Sequence, residues 1–156
     1  MRRNDFTLDV EGVDWVHEGG EPEKPTVHID FQGTTENLGD RFSGPDGRLL
    51  DERETDVAFR LLSDIDAPDA TGVVSVTNRV TGDYILELNA DADDVLTFIR
   101  AARRYGEHAG DDGQYRVTVS SEGEELVTYD KTTFLVYNHE GDLLRRHSLI
   151  PSGIEL

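Results

Sequence analysis

Alternation of apolar and polar residues with a period of two runs through most of this chain, and that period marks a strand with one buried face. Phe6, Leu8 and Val10 alternate with polar neighbours, as do Val27, Ile29 and Phe31, and later Val57, Phe59 and Leu61. Further strands are expected at 74–79, 84–88, 115–120, 126–129, 133–137 and 143–149. One stretch changes period: Val95, Phe98, Ile99, Ala102 and Tyr105 fall on one stripe at helical spacing. Asn89 or Asp91 can cap that helix, Asp93 and Asp94 sit where the helix dipole favours anions, and Gly106 can close it. The pattern predicts a single α+β domain over 1–156. It has a mostly antiparallel sheet of about eight strands and one major helix (about 91–105) packed on one face. The Gly-, Pro- and Asp-rich segments 17–25 and 106–114 are expected to be mobile loops. Segment 32–50 is expected to be largely irregular, with a turn at Pro45-Asp46-Gly47 and a short helical turn near 36–42.

One register follows from the pattern. A three-residue loop, Val80-Thr81-Gly82, pairs Val76 with Leu86 and Val74 with Leu88, and places Gly82 at the left-handed position of the turn. His139-Glu140-Gly141 reads as a second loop of this kind. Phe134-Leu135-Val136-Tyr137 is apolar on both faces, which predicts a central position in the sheet.

Charge then changes the picture. The chain carries 33 Asp and Glu against 15 Lys and Arg, a formal charge of −18 on 156 residues, and only Lys24 and Lys131 among its basic residues are lysines. At low ionic strength such self-repulsion opposes the compact state. Molar salt shortens the screening length to about 3 Å and removes most of the penalty. The acids are dispersed, with no run longer than two, and 36% of the residues are hydrophobic. Dispersal and a real apolar fraction argue for adaptation to a salty cytoplasm rather than for disorder or an acidic docking tail. The start, Met1-Arg2-Arg3-Asn4-Asp5, has no apolar stretch behind it. No secretory signal or membrane span is therefore expected.

Candidate chemistry is sparse. There are no cysteines, which excludes disulfides, thiolate metal sites and Cys nucleophiles. The five histidines form no HxH or HxxxH pair. Residues 89–94 have the acids of a calcium loop without its glycine and glutamate, and helix capping accounts for them. Neither a nucleophile elbow nor a glycine-rich phosphate loop occurs. No catalytic residue, metal ligand or cofactor is expected. Arginine is the one local signal: Arg100, Arg103 and Arg104 share a helix flank, and Arg145, Arg146 and His147 lie together near the end. Arginine forks match carboxylates and phosphates, so these six residues form a candidate anion site. Nucleic acid is not expected as a partner, because the net charge repels phosphate.

The runs DFTLDV (5–10), TDVAFRL (55–61), TGVVSVTNRVTGDYILELNADADDVLTFIRAARRYGE (71–107) and YDKTTFLVYNHEGDLLRRHSLIPSGIEL (129–156) resemble a family of small, acidic, uncharacterised haloarchaeal proteins. The resemblance implies a haloarchaeal, cytoplasmic, single-domain protein and carries no activity, ligand or site residue. The expected function is that of a non-enzymatic interaction module, with a protein partner or a second copy of the chain. The alternative is a binder of a small anionic ligand through the arginine cluster. Salt adaptation predicts that the thermal midpoint, followed by circular dichroism, rises between dilute buffer and molar KCl; an unchanged midpoint would contradict it.

Overall fold

The computed structural model describes residues 3–33, 38–109 and 114–151. Eight strands form: β1 (Phe6–Glu11), β2 (Thr26–Phe31), β3 (Thr55–Leu61), β4 (Thr71–Asn78), β5 (Tyr84–Asp91), β6 (Tyr115–Ser121), β7 (Glu124–Lys131) and β8 (Leu135–Tyr137). Three helices accompany them: the single turns α1 (Trp15–Glu18) and α2 (Leu38–Arg41), and the long α3 (Ala92–Ala109). The α+β class holds, but the strands divide into two four-stranded sheets, ordered β1-β2-β6-β7 and β5-β4-β3-β8. Both are mixed. Hairpins supply the antiparallel pairs, while β2–β6 and β3–β8 run parallel. Parallel neighbours need a long crossover. For β2 and β6 that crossover contains the whole second-sheet hairpin and α3.

Most strands bury alternate residues, so each sheet has one inner face; β4 also buries Gly72 and Val73, and β5 also buries Ile85. Ile29, Phe31, Val117 and Val119 of the first sheet, Val57, Phe59, Leu61, Val74, Val76 and Leu88 of the second, and Val95, Phe98, Ile99 and Ala102 of α3 join one buried cluster. The predicted helical stripe is the one that packs. Tyr105, at its end, is half-buried.

The predicted register is present, with Val74 opposite Leu88 and Val76 opposite Leu86. Gly82 takes the left-handed conformation at φ +80°. The loop is one residue longer than expected. Asn78 N–H donates to Asp83 C=O at 2.8 Å and Gly82 N–H to Asn78 C=O at 2.7 Å. Thr77 lies opposite Tyr84, so Ile85 is the extra residue of a bulge. The Asn78 carboxamide also accepts from Val80 N and Thr81 N, and this local bonding favours the longer loop. In the second hairpin, Asn138 N–H donates to Asp142 C=O across the three expected residues, with Gly141 at φ +90°.

Five expectations are corrected. Helix α3 does not stop at Gly106. It continues to Ala109, so residues 106–109 of the expected loop are helical, and His108 meets the Trp15 ring edge-on at 5.8 Å. The rest of that loop, 110–113, lies outside the described residues. Asn89 does not cap the helix; it belongs to β5, and its side chain donates to Asn4. The beginning of the other expected loop is also helical, since His17 and Glu18 lie in α1. The helical turn near 36–42 is found as α2, with 36 and 37 outside the described residues.

The fourth and fifth corrections concern the C-terminal part of the chain. Strand β8 is not central. It ends the second sheet, and its free edge is covered by Leu143 and Leu149 through isolated bridges. Between those bridges the expected last strand is broken by a 3-10 turn at Arg145–His147. Ser148 explains the break: its hydroxyl accepts from Val136 N–H and donates to Leu144 C=O, both at 2.8 Å. A side chain thus does what a strand backbone would do, and the main chain is free to turn. Removing that hydroxyl strands a buried N–H, which costs roughly 1–3 kcal/mol. Ser148→Ala should lower stability by that amount in thermal melts in molar KCl. Thr132→Ala, at an exposed position, should stay within about 0.5 kcal/mol.

Candidate functional site

The structure brings the two arginine stretches together through one residue. Arg103 is half-buried on α3 and its Nη2 donates to Ser148 C=O at 2.8 Å, with Arg146 C=O at 3.5 Å. Its guanidinium therefore ties the helix to the 3-10 turn. Arg100 donates to Thr97 on its own helix. Arg104, Arg145, Arg146 and His147 are exposed. Among the described residues no carboxylate lies within 4 Å of Arg100, Arg103, Arg104 or Arg146. The stretches form a basic ridge, with Arg103 used to join its halves.

A better-formed hollow lies elsewhere, on the outer face of the second sheet. Strand register builds it in rows. Tyr84, Thr77 and Asp56 stand in one row; Glu87, Ser75, Ala58 and Leu135 in the next; Asn89, Val73, Arg60 and Tyr137 in the third. The middle row has its smallest side chains, Ser75 and Ala58, at the centre of the sheet, so the flanking rows stand above it. Ile150 and Pro151 close the side beyond β8, and the groove encloses about 660 Å³. That volume is within the usual range of small-ligand sites. Tyr84 is 62% exposed at its rim. A second hollow of about 750 Å³ opens between β1 and β5, walled by Asp9, Asp91 and Asp94. It continues the acidic surface and offers no contrasting chemistry.

One end of the groove adjoins a charged cluster. Arg79 places Nε and Nη2 on one oxygen of Asp56, at 3.0 and 2.6 Å. The hydrogen bond to Asp56 raises the Arg79 pKa above its usual value. Beyond it a hollow of about 390 Å³ is lined by Glu52, Arg53, Arg79, Asp130, Lys131, Thr132 and Thr133. Lys131 is only 6% exposed, and its Nζ donates to Glu52 C=O and Thr55 C=O, both at 2.6 Å. Burial lowers its pKa and the nearby Arg79 adds to that, against the opposing pull of Asp56, Glu52 and Asp51. The ammonium is thus spent on pinning the turn at Glu52–Glu54 to β7. Asp130 is held by Lys24 at 2.8 Å and Arg116 at 3.1 Å. Among the described residues no group of three or more His, Asp or Glu side chains is placed to hold a metal ion, and no helix is long and apolar enough to cross a membrane.

Sequence reasoning missed the groove floor, although a signal existed. Ala58 and Ser75 are small residues at the outward positions of adjacent strands, and the register that aligns them supplies the link.

The model of a protein family described as "Family of unknown function (DUF5793)" matches residues 1–156. No curated protein and no solved structure matches the chain.

The Asp130 carboxyl is held below its ordinary pKa, first by the hydrogen bond from Lys24 and then by the Lys24 charge and Arg116, with burial opposing. Its folded pKa is depressed. The stabilisation is therefore complete above the unfolded value, about 4, and is lost as pH falls through the folded one. Asp130→Asn should flatten the fall of the melting temperature in that acid window and lower stability at neutral pH. An acid slope identical to wild type would remove Asp130 from the account.

Proposed function

Given that the chain belongs to the DUF5793 family, whose description assigns no activity, we propose that it is a non-enzymatic binding module of a haloarchaeal, salt-adapted cytoplasm. Its working surface is the outer face of the second sheet. One observation carries this reading: on a chain of net charge −18, that face presents a hollow floored by Ala58 and Ser75 and bordered by Tyr84, Leu135, Tyr137, Ile150 and Pro151. A sheet face meant only for water has no need of apolar and aromatic side chains around a small-residue floor. The two-faced strand supports it further. Phe134 and Val136 face the core, while Leu135 and Tyr137 line the groove.

The salt-adapted setting is supported by the dispersed acids and by the excess of arginine over lysine, 13 to 2. A second reading, an anion site formed by Arg100, Arg103, Arg104, Arg145, Arg146 and His147, is favoured by the Arg103 bridge between the two stretches. Affinity purification in molar KCl, with mass spectrometry of retained proteins and metabolites, separates the two. Ala58→Glu should release what the wild type retains, with its circular dichroism unchanged. Release by Arg104→Gln with Arg146→Gln, and not by Ala58→Glu, would favour the ridge and overturn the groove.

A further inference from the structure

Electrostatics give the groove a direction. One carboxylate, Asp56, lines it and holds Arg79; Glu87, the register partner of Ser75 outside the lining, lies 3.8 Å from Arg3. Arg60 stands in the third row between Val73 and Tyr137. Its guanidinium makes one long hydrogen bond, from Nη2 to His139 C=O at 3.3 Å. Among the described residues no carboxylate lies within 4 Å of it. Most of the fork is therefore unspent, and it opens beside an apolar-edged hollow.

Size restricts the occupant. The floor crosses β4, β3 and β8, and at about 4.8 Å per strand that is roughly 10–14 Å. This is the length of a small organic molecule, and the patch is smaller than the ~800 Å² per partner of a stable protein interface. Arginine forks take carboxylates and phosphates bidentately. The excess of acids disfavours anions over most of the remaining surface, outside the arginine ridge of α3 and the 3-10 turn.

We propose that the groove binds a small organic oxyanion, a carboxylate or phosphate monoester with a flat apolar body. Arg60 receives the charged end, and the body lies over Ala58 and Ser75 against Leu135 and the tyrosine rings. The proposal rests on the reading of this face as the working surface and adds its ligand class.

The test is amide chemical-shift mapping of the whole chain in molar KCl. The probes are phenyl phosphate and benzoate, with benzyl alcohol as the body alone and inorganic phosphate as the anion alone. The first two should shift Ala58, Ser75 and Leu135, and the partial probes should bind at least tenfold more weakly. Arg60→Gln should weaken phenyl phosphate by about tenfold, the scale of one charged hydrogen bond. Arg60→Lys, which keeps the charge without the fork, should lose less, and Ala58→Leu should abolish binding. Affinity unchanged in Arg60→Gln would overturn the oxyanion assignment, as would shifts centred on Arg104 and Arg146 or no shifts at all. If Ala58→Glu still releases the retained partner in those cases, the docking face stands without this ligand class.

Discussion

Three rings hold the layers of this protein together. Phe98 comes from α3, Tyr115 from the start of β6 in the first sheet, and Phe134 from the residue before β8 in the second. Phe98 and Tyr115 meet edge-on at 5.4 Å, Tyr115 and Phe134 lie 5.5 Å apart, and Phe98 and Phe134 6.3 Å apart. Such pairs contribute roughly 0.5–1.5 kcal/mol each beyond the area they bury. Tyr115 also donates its hydroxyl to Thr133 C=O at 2.6 Å. Burial raises that phenol well above its ordinary pKa, and the charge of Asp56 adds to the effect, so it remains a neutral donor. Because the bond fixes Thr133, it also positions the segment whose next residues, Leu135 and Tyr137, wall the groove. Core and candidate site thus share an anchor.

The few basic residues are distributed by what each can reach. The two lysines sit where the long stem is covered: Lys131 is buried and pins the turn at Glu52–Glu54, and Lys24 holds Asp130 from a half-buried position. Arginines serve more varied ends. Arg103 ties α3 to the 3-10 turn, Arg79 neutralises Asp56 beside the groove, and Arg41 reaches Ile85 C=O on β5. Lysines survive where an ammonium can be enclosed by carbonyls or a carboxylate. Several forks join two elements. Arg60 makes one long hydrogen bond, to His139 C=O at 3.3 Å, and lines the groove.

Much of the local structure was legible in the residues. Alternation located the apolar faces of β1 to β4 and the Leu86–Leu88 face of β5, since period two is a direct consequence of backbone geometry. The stripe from Val95 to Ala102 located α3, and glycine chemistry located both hairpin turns. The misreadings share a cause. Gly106 inside α3, the bulge at Ile85 and the break at Arg145–His147 each reflect a distant or side-chain partner that propensity does not see: the Trp15 ring, the Asn78 carboxamide and the Ser148 hydroxyl. The candidate site was legible only in fragments, as a strand with two apolar faces, and the arginine stretches drew attention to a different surface.

Composition and periodicity alone determined the class of fold, the strands, the main helix, one hairpin register and a surface dominated by carboxylates. These depend on local geometry and on the chain's own charge, which sequence records directly. The tertiary structure alone decided that the strands divide into two sheets, that β8 pairs in parallel with β3, and that Ala58, Ser75, Leu135 and Arg60 face one hollow. Those facts depend on which remote segments meet. Many pairings of the same strands would bury similar apolar faces, and only packing around the shared aromatic centre selects among them.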